Sequence, residues 1–177
     1  MKAADNARLF LALWPDDGMR AALVRCRDAW AWDADASPQP TERLHLTLHF
    51  LGAVPRQRLP ELTDGLKVPC KQFTLRLDQA QCWPSRVAVL TPMAAPPALL
   101  ALHEALRERI ERLGLRVESR SLRPHVTLAR HAANSLAPAQ ASPVDLPVSG
   151  YVLVESQSVT GDYVVLWRHG CAAAASS

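Results

Sequence analysis

The chain has 177 residues, 49% of them apolar and 21% charged, which is the composition of an ordinary globular protein of one domain. Its formal net charge of +3 permits an anionic partner without establishing one. The longest uncharged stretch, 87–102, contains three prolines and is excluded as a membrane helix. The apolar run near the N-terminus is too short for a signal peptide.

Hydrophobic periodicity and turn residues predict a mixture of strands and helices in chain order. Strands are predicted at 8–14, 44–51, 73–83, 86–92, 115–119, 125–130, 148–156 and 163–168. Helices are predicted from Asp16 or Asp17 to about Trp32, over 55–66, and from Pro96-Pro97 to Gly114. Loops are predicted at 37–40 and 132–147. The order is too irregular for a doubly wound parallel sheet and indicates an α+β fold.

The four cysteines, Cys26, Cys70, Cys82 and Cys171, form no CxxC motif and have no spacing typical of a zinc site. We interpret them as reduced thiols of a cytoplasmic protein. The domain is expected to span 1–170, and the tail 171–177 (CAAAASS) is expected to be disordered.

Two strands carry the pattern HxTL: RLHLTLHFLG at 43–52 and RPHVTLAR at 123–130. Side chains alternate between the faces of a strand, so each histidine shares a polar face with the threonine two residues on, about 6–7 Å away. Arginines also concentrate near the second motif: residues 107–131 contain seven arginines and three of the chain's glutamates. Part of that excess is the solvated face of a helix.

Paired histidines and hydroxyls are suited to metal-free cleavage of a phosphoester. Imidazole titrates near neutral pH, so one ring can accept a proton while the other donates one. The threonine hydroxyls can donate hydrogen bonds to phosphate oxygens, and an arginine can stabilise developing negative charge. A single HxT motif would carry little information, but a matched pair favours this chemistry.

These motifs, together with RLFLAL, RVAVL, VLVES and Tyr163, resemble the 2H phosphoesterases. Among them the chain is similar to the RNA 2′,3′-cyclic phosphodiesterases, also called 2′-5′ RNA ligases. The resemblance covers about residues 8–168. It implies a single bilobal domain with two antiparallel sheets, outer helices, and the two motif strands facing a central cleft.

The resemblance also implies the activity and its main residues. A 2′,3′-cyclic phosphate would be hydrolysed to a 2′-phosphomonoester, with reversible 2′-5′ ligation as a related reaction. His45 matches the histidine that protonates the leaving O3′, and His125 the one that activates water. Thr47 and Thr127 match the hydroxyls that hold the phosphate. The implied partner is RNA with a cyclic phosphate end, tRNA fragments included, or a cyclic nucleotide. No metal, cofactor or membrane is implied, and a monomer is the default expectation.

Four further residues are candidates for substrate binding. Arg130 matches the arginine that ends the second motif, although alternation places it with the core residues, so a bulge or strand end must turn it outward. Phe50 matches the aromatic residue after the first motif, yet alternation places it in the core. His49 is a departure from the motif that shares the catalytic face by alternation. Arg123 is equally compatible with an RNA contact and a solvated arginine. The five tryptophans are interpreted as packing residues.

Two alternatives remain open. A metal site would use His45 and His49, but four residues along a strand span about 13 Å, too far for one ion. A non-catalytic module that binds RNA ends or nucleotides could use the same fold. Binding of a cyclic phosphate without turnover would favour that module.

Overall fold

The computed structural model describes residues 5–173. The strands in this range are β1 (Asn6–Leu13), β2 (Ser37–Pro38), β3 (Leu46–Pro55), β4 (Phe73–Leu77), β5 (Gln79–Trp83), β6 (Val87–Thr91), β7 (Val126–Arg130), β8 (Val144–Val148), β9 (Gly150–Ser156) and β10 (Tyr163–Gly170). The helices are α1 (Asp17–Asp28), α2 (Leu59–Gly65) and α3 (Pro97–Arg112), with 3₁₀ turns at Thr41–Arg43 and Arg56–Arg58. None of the described helices is both long and apolar enough to span a membrane.

The strands form two antiparallel sheets, which confirms the predicted α+β class. The larger sheet has the order β10-β9-β1-β3-β7-β6-β5, with β2 paired to β7, and the smaller one pairs β4 with β8. The two motif strands, β3 and β7, are neighbours that pair only at Leu46 and Val126. The large sheet therefore consists of two halves that separate beyond this single pair, and each half carries one HxT motif.

All three predicted helices are present, but α1 and α2 are shorter than predicted. The helix predicted over 55–66 is a 3₁₀ turn at Arg56–Arg58 followed by α2. Asp16 caps α1 by accepting a hydrogen bond from the Met19 amide at 2.8 Å. This helix ends at Asp28 rather than near Trp32, and Trp30 is buried in the core. Helix α3 buries the stripe Leu99, Leu102, Leu106 and Ile110. After α3, Gly114 adopts a φ of +72°, the left-handed conformation that favours glycine.

Two strand predictions and one loop prediction are wrong. Residues 115–119 form an irregular segment, whereas β8 lies in the predicted loop. The run 73–83 divides at Asp78 into β4 and β5, which belong to different sheets. The Asp78 carboxylate accepts a hydrogen bond from the Met93 amide at 2.8 Å and so ties this division to the end of β6. Alternating apolar residues predict strands but do not specify their partners. Strand β8 forms by pairing with β4, which is distant in the sequence.

The first motif strand contains two irregularities that alternation alone does not predict. The β1–β3 register shifts between Leu11 and Ala12, where Leu48 is the extra residue, and again at Leu51. Gly52 follows with a φ of +74°, and β3 continues past it to Pro55. Because an extra residue exchanges the two faces of a strand, His49, Phe50 and Leu51 point opposite to the predicted directions, and the second shift restores the alternation, with Val54 buried.

Two cysteines are oxidised, contrary to the predicted reduced thiols. Cys70 and Cys171 form a disulfide with an S–S distance of 2.08 Å, which closes a loop of 101 residues, while Cys26 and Cys82 are free. Cys171 is buried, and its amide donates to the Ser149 carbonyl at 2.8 Å. The prediction of a disordered tail is therefore wrong for 171–173, and 174–177 lie outside the described residues. No local spacing motif could have signalled this pairing.

We expect the Cys171→Ser variant to be about 2–4 kcal/mol less stable than the wild type, because the disulfide restricts the unfolded chain over a long loop. The measurement is urea unfolding under non-reducing conditions. Cys82→Ser is the control, since Cys82 is free and exposed and its loss should change the free energy of unfolding very little. Equal stability of the two variants would contradict a stabilising disulfide.

Candidate active site

Both histidines and both threonines of the motifs line one small pocket, here called the phosphate pocket, with a volume of about 110 Å³. It lies where β3 and β7 diverge, so the single pairing of these strands places their polar faces together. Its walls are formed by Phe10, Gln39, Arg43, His45, Thr47, Phe50, His125, Thr127, Arg130 and Tyr163. Of the eight residues predicted for the site, six are in this pocket, and the two outside it are His49 and Arg123.

A backbone carbonyl orients each imidazole in the same way. The Nδ1–H of His45 donates to the Arg43 carbonyl at 2.6 Å, and that of His125 donates to the Arg123 carbonyl at 2.8 Å. Since a carbonyl only accepts, the proton of each neutral ring resides on Nδ1, and Nε2 is left with a free lone pair. In His45 this Nε2 is hydrogen-bonded to the Thr47 hydroxyl at 3.0 Å. Both rings can thus exchange a proton through Nε2.

Burial lowers the pKa of both histidines. It lowers the pKa of His45 to about 4, with smaller contributions from the positive charges of Arg20, His125 and Arg130. The pKa of His125 is lowered mainly by burial as well, and further by Arg123 and Arg130. The carbonyl hydrogen bonds act in the opposite direction, because they favour the protonated ring. The empty pocket therefore favours two neutral imidazoles, and an anion bound between them would favour protonation.

Each histidine also packs against a tryptophan, and an arginine guanidinium lies over the ring of that tryptophan. Trp14 stacks on His45 with ring centroids 5.6 Å apart, and Arg20 Cζ lies 5.0 Å from the Trp14 ring. In the other half of the sheet, Trp83 contacts His125 at 4.6 Å between centroids. Arg123 Cζ lies 4.3 Å from the Trp83 ring. The predicted packing role of the tryptophans omits these two contacts. Such stacking restricts the rotation of each imidazole.

Arg130 reaches the pocket because of a bulge, as the sequence requires. The β6–β7 register shifts between Ala88 and Val89, so Leu128 is the extra residue of β7. Leu128 and Ala129 are both buried, whereas Arg130 is exposed at the pocket wall. No carboxylate within the described residues lies within 4 Å of Arg130. Its charge is therefore available to an anion in the phosphate pocket.

The bulge at Leu48 reverses the predicted directions of His49 and Phe50. Phe50, expected in the core, is 55% exposed and lines the phosphate pocket. His49, expected on the catalytic face, is 6% exposed, and its Nε2–H donates to the His103 carbonyl of α3 at 2.8 Å. The two histidine rings stack with centroids 3.9 Å apart. His49 therefore anchors β3 to α3.

The geometry also bears on the metal alternative. His45 is hydrogen-bonded to Arg43 and Thr47, whereas the ring nitrogen of His49 is engaged by α3. The two side chains do not converge as ligands of one ion. Among residues 5–173 no group of three or more His, Cys, Asp or Glu side chains could hold a metal ion.

Sequence reasoning used Tyr163 and the segment containing Phe10 only for the resemblance and did not place them, or Arg43, beside the histidines. Phe10 and Tyr163 contact the His45 ring, with centroids 5.1 and 5.3 Å away. Arg43 Cζ lies 5.5 Å from the Tyr163 ring. One signal could have indicated part of this arrangement, because both motifs read RxHxTL, with an arginine two residues before each histidine. Phe10, Trp83 and Tyr163 belong to β1, β5 and β10, which are distant from both motifs in the sequence. The residues around the motifs therefore do not indicate these contacts.

Comparison with known proteins identifies a family over most of the chain. The sequence model of the 2′-5′ RNA ligase superfamily matches residues 15–170. The chain is 33% identical over 137 residues to an RNA 2′,3′-cyclic phosphodiesterase of Escherichia coli, covering 75% of this chain and 77% of that protein. It is 32% identical over 166 residues to the enzyme of the same name from Thermus thermophilus, with 85% and 82% coverage.

Solved structures agree as well. The crystal structure of E. coli LigT complexed with 3′-AMP superposes with a TM-score of 0.83 at 29% identity, covering 94% of this chain and 98% of that chain. The crystal structure of a phosphoesterase superposes with a TM-score of 0.84 at 29% identity, covering 94% of this chain and 98% of that chain. By sequence over most of its length, and with both HxT motifs at one pocket, the chain belongs to the 2′-5′ RNA ligase superfamily.

Proposed function

We propose that the protein is an RNA 2′,3′-cyclic phosphodiesterase that opens the cyclic phosphate to a 2′-phosphomonoester. The observation that carries the proposal is the convergence of His45, Thr47, His125, Thr127 and Arg130 on one pocket of about 110 Å³. The names of the two curated relatives support the substrate class.

In the proposed mechanism, His125 Nε2 removes a proton from water, whose oxygen attacks phosphorus. The bond between phosphorus and O3′ breaks, and His45 Nε2 donates its proton to O3′. The Thr47 and Thr127 hydroxyls and Arg130 stabilise the charge on the non-bridging oxygens. If an RNA 5′-hydroxyl replaces water, the same transfers form a 2′-5′ linkage.

The test is incubation of the purified protein, in excess EDTA, with an RNA that ends in a 2′,3′-cyclic phosphate, followed by identification of the product. A 2′-phosphate end is the expected result. A 3′-phosphate would reverse which oxygen leaves and contradict the assignment of His45. Binding of the RNA without turnover would favour a non-catalytic module.

We expect the plot of kcat/KM against pH to be bell-shaped, with its maximum between about pH 4 and 6.5. One histidine must be neutral and the other protonated, and kcat/KM reports the free enzyme. Both pKa values are below the ordinary 6.5 in the free protein, and that of His45 is about 4. The fraction of protein with one protonated ring falls above the higher of the two pKa values, so kcat/KM should already be declining at pH 6.5.

The plot of kcat should lie at higher pH, because bound phosphate favours the protonated imidazole. Circular dichroism at each pH checks that the protein remains folded. A maximum of kcat/KM above pH 7 would contradict this account of the two histidines.

A further inference from the structure

A second cavity, here called the lateral groove, adjoins the phosphate pocket. It has a volume of about 500 Å³ and shares Thr47, Phe50 and His125 with that pocket. The outer part is formed by Trp83, His103, Glu118, Arg120 and Arg123. A larger cavity of about 580 Å³ lies beside Trp14, but neither motif histidine lines it. Of these two large cavities, the lateral groove is therefore the one that adjoins a motif histidine, His125.

Two aromatic rings line the lateral groove, and one of them, Phe50, is open to a ligand. Phe50 is 55% exposed although its strand is otherwise largely buried, because the bulge at Leu48 turns it outward. Trp83 is half-buried on the β5–β6 hairpin, between the His125 ring and Arg123. Nucleobases stack on such rings with little dependence on sequence. The walls are therefore suited to unpaired bases.

The charges of the lateral groove favour a phosphodiester. Arg120 and Arg123 are both exposed, and within the described residues neither has a carboxylate within 4 Å. Glu118 is the single acidic side chain among the described lining residues. A cyclic mononucleotide has no phosphate apart from the cyclic one. In an RNA, the preceding nucleotide is joined to the terminal one by a phosphodiester, which adds a second negative charge. Two arginines without a carboxylate partner, beside the exposed Phe50 ring, therefore fit a nucleotide with its phosphodiester better than a lone base.

We propose that the lateral groove binds the nucleotide that precedes the cyclic-phosphate nucleotide of a single-stranded RNA. This inference rests on the proposed function, because it takes the cyclic phosphate to occupy the phosphate pocket. The consequence is a preference for oligoribonucleotides over mononucleotides, with Arg120 contributing to that preference and not to the chemical step.

The experiment compares kcat/KM for a trinucleotide that ends in a 2′,3′-cyclic phosphate with kcat/KM for the corresponding 2′,3′-cyclic mononucleotide. The wild type should prefer the trinucleotide by about tenfold or more, the value expected for one stacked base and one phosphate contact. In Arg120→Ala this ratio should fall several-fold toward one. Arg116→Ala is the matched control, because Arg116 is exposed in the same segment but does not line the groove, and it should keep the wild-type ratio.

Equal kcat/KM values for the two substrates in the wild type would overturn the proposal. So would an Arg120→Ala variant that loses activity equally on both, which would assign the groove to the base of the reacting nucleotide. If neither substrate is opened, the proposed function fails, and the groove is then tested by affinity. The 2′-phosphate trinucleotide should still bind about tenfold more tightly than the 2′-phosphate mononucleotide, and equal affinities would reject the groove.

Discussion

His45→Ala and His125→Ala should each lower kcat for cyclic phosphate opening by about a thousandfold or more. General acid or base catalysis contributes a rate factor of about 10²–10⁴. Each imidazole is held in place by a backbone carbonyl and a tryptophan. Alanine leaves no group at that position that can transfer the proton. The double variant should be little slower than either single variant, because the two rings act on one proton-transfer sequence. The measurement is single-turnover hydrolysis of a cyclic phosphate at the wild-type pH maximum.

A substrate with sulfur in place of O3′ distinguishes the two roles. Sulfur leaves without needing a proton, so His45→Ala should recover much of its rate on this substrate, whereas His125→Ala should not. Recovery in the opposite variant would exchange acid and base.

The matched control is His131→Asn. His131 is exposed outside the phosphate pocket, and its φ of +55° is a conformation that asparagine tolerates. This control should keep the wild-type rate, and thermal unfolding should show that all variants are folded. Near-normal turnover of either alanine variant would refute the two-histidine mechanism.

The sequence allowed the grouping of His45 with Thr47 and of His125 with Thr127 to be predicted because each pair is local. Histidine and threonine two residues apart share a face of any regular strand, and the repeated motif links the two halves of the sheet. The helices were predictable for a similar reason, since α3 carries its apolar stripe between a proline start and a glycine end. Both inferences use only neighbours along the chain.

The directions of Phe50 and His49 could not be predicted in the same way. They depend on a bulge at Leu48, and a bulge is a property of the pairing with β1 rather than of β3 alone. One extra residue was enough to exchange a presumed core residue with a presumed site residue. At Arg130 the family resemblance required a bulge that alternation did not supply, and the β6–β7 register provides it.

The surroundings of the histidines were unpredictable because they arise from long-range contacts. Trp83 reaches His125 from a hairpin more than forty residues earlier in the chain, and Cys171 reaches Cys70 across 101 residues. Composition indicates that a tryptophan will be buried but not which ring it contacts. The two arginine–tryptophan–histidine stacks are therefore visible only after the sheet is assembled.

Arg130→Met should lower kcat/KM by about 10²–10³, the usual effect of removing one donor that stabilises developing negative charge. Methionine keeps the unbranched stem to about the position of Nε and removes the guanidinium. Arg130 has no carboxylate partner within 4 Å in the described part of the chain, so little structural disturbance is expected. Arg130→Lys should recover part of the loss, since lysine restores the charge but not the planar pair of donors.

A second result distinguishes Arg130 from a merely structural residue. Its positive charge contributes to lowering the pKa of both His45 and His125, although burial contributes more. Without that charge both pKa values should rise, and the maximum of kcat/KM should move to higher pH. Arg116→Met, which changes an exposed arginine outside the phosphate pocket, should leave both the rate and the pH maximum unchanged. An Arg130→Met variant within threefold of the wild type, or one with an unshifted pH maximum, would remove Arg130 from the phosphate pocket's chemistry.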